Sequence, residues 1–148
     1  MKGPMKGKVE LLAPAGSPDA LKAAVNAGAD AVYAGARHFN ARAGAENFDE
    51  KALKEAIAYC RSGGVRFFLT LNTLIHNREI KNVLLELESA LIAGVDAVII
   101  QDIGLIRCIR KTFPDLEIHA STQATVYDIN GVMELVRAGV SRVILARE

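Results

Sequence analysis

One pattern of hydrophobic and polar positions recurs along the chain. A short apolar run ends in small or polar residues, a loop and an amphipathic helical stretch follow, and a glycine leads into the next apolar run. The glycine junctions are variants of one sequence motif: AGADAVY at 27–33, GGVRFF at 63–68, AGVDAVII at 93–100 and AGVSRVI at 138–144. Their spacing, roughly 30 to 45 residues, is that of a βαβ unit, so the pattern predicts parallel strands alternating with helices.

Six strands and five helices are predicted. The strands are Val9–Ala13, Ala31–Ala34, Arg66–Leu71, Ala97–Gln101, Leu116–Thr122 and Arg142–Ala146. Ser17 is expected to cap the first helix, with Pro18 at its first position, and Asp49 and Asn77 to cap the next two. Apolar residues at i, i+3, i+4 and i+7 predict that two of the helices each pack one apolar face on the sheet. These faces consist of Leu53, Ala56, Ile57 and Cys60, and of Ile80, Val83, Leu84 and Leu87. The last two helices are expected near 105–113 and 132–136.

Two architectures accommodate this order, an open doubly wound sheet and a closed barrel. Central strands of a doubly wound sheet are apolar on both faces, whereas Phe68 here shares its face with Thr70 and Asn72. Polar groups that gather on one face toward the strand ends favour an α/β fold of the parallel (β/α) TIM type, with an active-site mouth.

The number of repeats predicts an incomplete barrel of about six β/α units. A closed barrel has eight strands and usually about 250 residues, whereas this chain has 148 residues. We therefore expect a flexible lead at residues 1–8, a partial barrel domain at 9–148 truncated before closure, and a longer natural protein. Open sheet edges would favour a homo-oligomer.

Composition narrows the class of protein. The net charge of +1 gives no electrostatic reason for an obligatory nucleic-acid or membrane partner, although it does not exclude a local basic patch. With no membrane-spanning run and no secretory leader, we expect a cytoplasmic protein whose two cysteines, Cys60 and Cys108, are free thiols. No HExxH, P-loop or GxSxG motif occurs, and no metal site is predicted.

Candidate site residues lie at the predicted strand tips and in a long second loop, residues 36–48, which is typical of a binding lid. Arg42 in that loop could clamp a carboxylate or phosphate, or remain solvated, and Asn72 could orient a substrate or hold a turn. Arg147 and Glu148 are weak catalytic candidates at the end of the chain. The remaining substrate-binding candidates are Tyr33, Asn40, Ser121 and Gln123.

Several polar residues have structural interpretations instead. His119, Ser121 and Gln123 are expected on one inward strand face, where a spacing of about 6.6 Å disfavours a serine–histidine bond and favours a buried, hydrogen-bonded His119. Glu10 could be a barrel-floor charge paired with an arginine, and Asp102 a helix cap. Asp30 and Asp96 recur at the junctions and are expected to serve the architecture.

Five stretches in order resemble the U thirty-two peptidase family of collagenase-like peptidases. They are ELLAPAG at 10–16, YAG at 33–35, FNARAGAENF at 39–48, HASTQ at 119–123 and LARE at 145–148. The resemblance implies a peptidase or collagenase label, while several members resemble oxygen-independent hydroxylation factors for transfer RNA, ribosomal RNA or a quinone precursor. Those members are associated with prephenate or an iron–sulfur cluster. The family's signature cysteines lie beyond the stretch matched here, so neither cysteine is assigned as a ligand, and no cofactor is expected in this part alone.

Three hypotheses follow. The longer protein would be an RNA or quinone-precursor hydroxylation enzyme whose barrel binds a small carboxylate, or a true metal-assisted peptidase. The 148 residues alone would be an inert, self-associating half-barrel, and for the chain by itself we expect inactivity.

Overall fold

The computed structural model describes residues 9–36, 38–40 and 48–147. Strands and helices alternate in them along the whole chain. The predicted lead at residues 1–8 lies outside the described residues. The elements are β1 Leu12–Pro14, α1 Pro18–Asn26, β2 Ala31–Gly35, α2 Glu50–Ser62, β3 Arg66–Leu71, α3 Ile80–Ala93, β4 Ala97–Ile100, α4 Ile103–Thr112, β5 Glu117–Ala120, the 3-10 turn Thr122–Ala124, α5 Ile129–Arg137 and β6 Arg142–Val143.

The six strands form one sheet in sequential order, and every neighbouring pair is parallel. The sheet curls into a half-barrel with β1 and β6 at its edges, which confirms the predicted incomplete (β/α) barrel. Both edge strands are shorter than predicted: β1 begins at Leu12 rather than Val9, and β6 ends at Val143 rather than Ala146. Each has a partner on one side only, and the Val9 side chain is 89% exposed. In the part of the chain described, none of the helices combines the length and apolar composition that a bilayer crossing requires.

Two element ends differ from the prediction for local reasons. Strand β5 ends at Ala120, because the Ser121 hydroxyl accepts a hydrogen bond from the Gln123 amide at 3.2 Å and begins the 3-10 turn. The prediction that Asn77 caps α3 is wrong, since the helix begins after Glu79. The caps predicted at Ser17 and Asp49 are confirmed, each accepting from a backbone amide three residues on.

The outer face of the sheet packs on the helices and forms the main core. Phe67, Leu69 and Ile118 are buried there, and the predicted apolar face of α2 is confirmed because all four of its residues are buried. Burial raises the pKa of the Cys60 thiol on α2 to about 11. Cys60 and Cys108 are both free thiols, as predicted.

At three of the junctions a polar side chain bonds to the backbone of, or next to, the preceding strand. The Asp30 carboxylate accepts a hydrogen bond from the Leu11 amide at 2.9 Å, and Asp96 accepts one from the Phe67 amide at 2.8 Å. At the corresponding place before β6, the Ser141 hydroxyl donates to a backbone carbonyl of β5 at 3.0 Å. The architectural interpretation of these aspartates is therefore confirmed.

A network of four charges forms the floor of the half-barrel at the N-terminal ends of the strands. Glu10 accepts two hydrogen bonds from the Arg142 guanidinium, at 3.0 and 3.1 Å, which confirms it as a floor charge paired with an arginine. Arg66 lies 3.5 Å from Glu10 and also contacts Glu117. Because Glu10 precedes β1 and Arg142 begins β6, the network ties together the two edges of the sheet.

The ring of Phe68 lies against this floor. The guanidinium carbons of Arg66 and Arg142 lie 4.8 and 5.6 Å from its centroid. Such cation–π contacts contribute about 0.5–2 kcal/mol each and hold both arginines in place. Phe68 therefore separates the charged floor from the interior above it.

We predict that replacing Glu10 by glutamine lowers the free energy of unfolding by about 1–2 kcal/mol, because Arg142 then lacks its charged partner in a half-buried place. Urea unfolding at neutral pH, followed by circular dichroism, measures the change. The matched control is Glu88→Gln on the exposed face of α3, which should change stability by less than about 0.5 kcal/mol. Equal effects of the two substitutions would contradict the role given to the floor.

Candidate functional site

The interior face above the floor carries a row of three side chains from neighbouring strands. Thr70 on β3 is paired in register with Ile99 on β4, which is paired with His119 on β5. Paired residues of parallel strands point to the same face, so Thr70 and His119 flank Ile99 with their Cα atoms roughly 10 Å apart. In this architecture, chemistry is located toward the C-terminal ends of the strands, above this row.

Thr70 is a candidate that our sequence reasoning did not single out. The residue is 7% exposed, and its hydroxyl oxygen is buried with no hydrogen-bond partner in the described residues. A buried polar group without a partner costs about 1–3 kcal/mol, so the site favours a polar ligand. The signal in the sequence was the shared strand face of Thr70 with Phe68 and Asn72.

His119 is fully buried, as predicted. Its Nε2 lies 2.7 Å from the Glu117 carboxylate, and its ring meets Phe68 edge-on with centroids 4.7 Å apart. Because a carboxylate only accepts, Nε2 carries the hydrogen of this bond. Nδ1 is buried and has no partner among the described residues, so His119 and Thr70 present two unmatched polar atoms.

The serine and glutamine beyond His119 differ in their placement. Ser121 is buried, and its hydroxyl accepts from the backbone, so its own hydrogen remains available to a ligand. Neither nitrogen of His119 bonds to Ser121, so the described residues contain no nucleophile–base bond between the two. Gln123 is exposed in the 3-10 turn; the prediction that it continues the strand face is wrong, because the strand has already ended.

The second loop begins and ends next to the tip of β2. Ala36 and Phe48 form a parallel bridge, and the Asn40 amide donates to the Ala36 carbonyl at 3.1 Å. Asn40 is only 8% exposed and packs so closely that a Cβ at Gly35 would fall 2.2 Å from its amide nitrogen. These contacts fix the ends of the loop, while the lid itself stays a prediction.

The other predicted site residues lie around this row. Tyr33 is half-buried on the interior face of β2, where it packs against a cluster that includes Phe68 and Ile99. Asn72 is half-buried directly after β3, and Arg147 is exposed near the chain end. Arg42 and Glu148 lie outside the described residues.

Asp102 is a structural carboxylate. One oxygen accepts from the Leu105 amide at 2.9 Å, which confirms the predicted cap of α4, and the other accepts from the Ile75 amide at 3.1 Å. Asp102 therefore joins α4 to the loop that follows β3, and both oxygens are engaged.

The charges below the row are compensated. A hydrogen bond from His119, aided by the nearby Arg66 guanidinium, lowers the pKa of Glu117 from 4.5 to about 2. The Arg142 guanidinium likewise lowers the pKa of Glu10. Two carboxylates and two guanidiniums thus neutralise one another in the floor, and a ligand above them meets hydroxyls and the ring of His119.

The cofactors implied by the resemblance can be tested against these residues. An iron–sulfur cluster takes four thiolates, and the chain has two cysteines, on different helices. The residues present do not fit a cluster. Among residues 9–36, 38–40 and 48–147, no three histidine, cysteine or acidic side chains lie together as metal ligands.

The fold and this row define a (β/α)-barrel protein with a polar interior at the C-terminal half of its strands. The model of Peptidase family U32 matches residues 16–148, and the chain belongs to this family. Its fold is also that of a solved U32 peptidase, which it matches with a TM-score of 0.73 at 14% identity, covering 98% of this chain and 62% of that one.

Two curated relatives carry different names. The tRNA hydroxylation protein P of Escherichia coli is 36% identical over 141 residues, covering 95% of this chain and 31% of the relative. An uncharacterized protease of Methanocaldococcus jannaschii is 38% identical over 140 residues, covering 95% of this chain and 34% of the relative. The chain therefore spans about a third of the length of these relatives.

We predict that acid weakens the fold through Glu117. Because the folded-state pKa lies below the ordinary value, the stabilisation is complete above about pH 4.5 and is lost as the pH falls toward 2. Urea unfolding between pH 2 and pH 7 should show this loss, and Glu117→Gln should reduce the pH dependence in that range. An unchanged profile in the variant would show that other carboxylates cause the loss.

Proposed function

We propose that this chain is the barrel part of an RNA hydroxylation protein. The observation that carries the proposal is its 36% identity, over 95% of the chain, to a protein named for tRNA hydroxylation. The unmatched polar atoms of Thr70 and His119 support a binding role for the interior face. RNA as the substrate of the whole protein is part of the proposal.

The proposed ligand of the interior is a small carboxylate such as prephenate. Thr70 would donate its hydroxyl hydrogen to it, and Ser121 would donate the hydrogen left free by its backbone contact. Arg42 would clamp the carboxylate from the second loop. Arg66 and Arg142 remain with their glutamates in the floor and are not assigned to the ligand.

A metal-assisted peptidase is the second candidate, favoured by the protease name of the archaeal relative. The geometry offers it less support, since Ser121 and His119 are not bonded to each other. Gelatin cleavage that chelator abolishes would favour it.

Self-association is the third candidate. On α5, Ile129, Met133 and Val136 lie on one exposed stripe at i, i+4 and i+7, and Leu11 is exposed beside the other sheet edge. These surfaces support the predicted homo-oligomer. Sedimentation that depends on concentration, with no response to a small carboxylate, would favour the inert half-barrel.

The decisive experiment exchanges the matching third of the E. coli tRNA hydroxylation protein P for this chain and expresses the chimera in cells that lack the relative. We expect hydroxylated nucleosides in transfer RNA, detected by mass spectrometry of digested RNA. The control is the E. coli protein without its matching third, which should produce no hydroxylated nucleosides. A soluble, folded chimera that yields no hydroxylated nucleoside would refute the proposal.

We predict that Thr70→Val separates binding from stability. Valine removes the unpaired hydroxyl at nearly constant size, so the free energy of unfolding should stay unchanged or rise by up to about 1 kcal/mol. Nucleoside hydroxylation by the chimera should nevertheless fall about tenfold, because the ligand loses a donor. The control is Thr112→Val, whose hydroxyl bonds to its own helix, and normal hydroxylation by both variants would remove Thr70 from the site.

A further inference from the structure

A basic cleft of about 310 Å³ lies between α4 and α5 on the outer wall of the half-barrel. It is separate from the interior row, because the last turns of both helices point toward the N-terminal ends of the strands. Its lining consists of Arg107, Arg110, Lys111, Glu134, Arg137 and Ala138. Four cations against one carboxylate stand out in a chain whose net charge is +1.

The charges on α4 differ from those on α2, which also has several cations. On α2, Lys54 pairs with Glu50 at 2.8 Å and Lys51 with Glu55 at 3.8 Å, so two of the three cations of that helix are paired within it. Helix α4, residues 103–112, contains three cations and no carboxylate. The positive potential of α4 is therefore not cancelled within the helix.

Two of the four cations serve the structure. Arg110 donates to the carbonyls of Pro114 and Gly139, which ties α4 to the end of α5, and Arg137 pairs with Glu134. Arg107 and Lys111 are exposed, and in the described residues neither has an ion pair. They lie one turn apart on the same helical face, with Cβ atoms about 5–6 Å apart.

We propose that this cleft binds the phosphodiester backbone of RNA, with Arg107 and Lys111 each contacting a phosphate. The inference rests on the proposed function, since it supplies the surface that holds the RNA. A concave groove between two helices fits a strand of phosphates better than it fits a flat lipid surface. Such contacts carry affinity without sequence preference, and they position the RNA. A large RNA bound along this outer wall would still have another of its segments free to reach the C-terminal ends of the strands, where the interior opens.

The test measures binding of a fluorescently labelled transfer RNA to the full chain by anisotropy, at roughly 50 to 200 mM salt. The variant is Arg107→Glu with Lys111→Glu. The control is Lys22→Glu with Lys81→Glu, which makes the same charge change at exposed lysines of α1 and α3. We expect the cleft variant to bind about tenfold more weakly at 100 mM salt and to reduce the salt slope by one to two. The control should stay within about threefold of the unaltered chain.

Other results would overturn the assignment. Equal losses in variant and control would show that net charge alone governs binding, and no loss in either would place the contact elsewhere. Binding of phosphatidylserine vesicles, lost in the cleft variant while RNA binding is unaffected, would assign the cleft to a membrane.

The surface and the proposed function can fail separately. The surface alone would be rejected by two results together: the isolated chain binds no RNA, and the chimera hydroxylates transfer RNA equally well with and without the cleft substitutions. RNA binding lost only in the cleft variant, together with an inactive chimera, would reject the proposed function and leave the surface standing.

Discussion

The pairing of Glu10 with Arg142 across the interior is the constraint on which the rest of the structure depends. Strands β1 and β6 share no backbone hydrogen bonds, so side chains must connect the two edges of the sheet. The same network engages Arg66 and Glu117, and Glu117 in turn fixes the ring of His119. The position of the row above the floor is thus set by charges below it, because a half-buried charge is tolerated only when it is paired.

Polar groups inside the half-barrel divide into two kinds. Those of the floor have partners, and their work is structural. Thr70 and the Nδ1 atom of His119 have none among the described residues, and buried groups of that kind are uncommon in folded proteins. The boundary between the two kinds is the ring of Phe68, which contacts both the arginines of the floor and His119. The proposed binding site is therefore the upper half of the interior.

The sequence predicted best what depends on periodicity. The alternation along β3 and β5 was sufficient to predict a buried His119, and the position of Glu10 on the inward face suggested its arginine partner. Gln123 was misplaced because the Ser121 hydroxyl competes with the strand for the local backbone, an effect that strand periodicity does not report. Thr70 was missed because a threonine in an apolar strand is ordinary until its partners are known. The cleft between α4 and α5 needs the adjacency of two helices, which a linear pattern does not contain.

The junction contacts have a consequence for how the molecule is made. Asp30, Asp96 and Ser141 each bond to backbone in or next to the strand synthesised just before, so at these three junctions a β/α unit can dock soon after it leaves the ribosome, which adds about 5–20 residues per second. The floor does not share this locality: 132 residues separate Glu10 from Arg142. In a nascent chain Glu10 can therefore meet Arg66 as soon as the third strand has emerged, whereas its two hydrogen bonds to Arg142 can form only after the sixth.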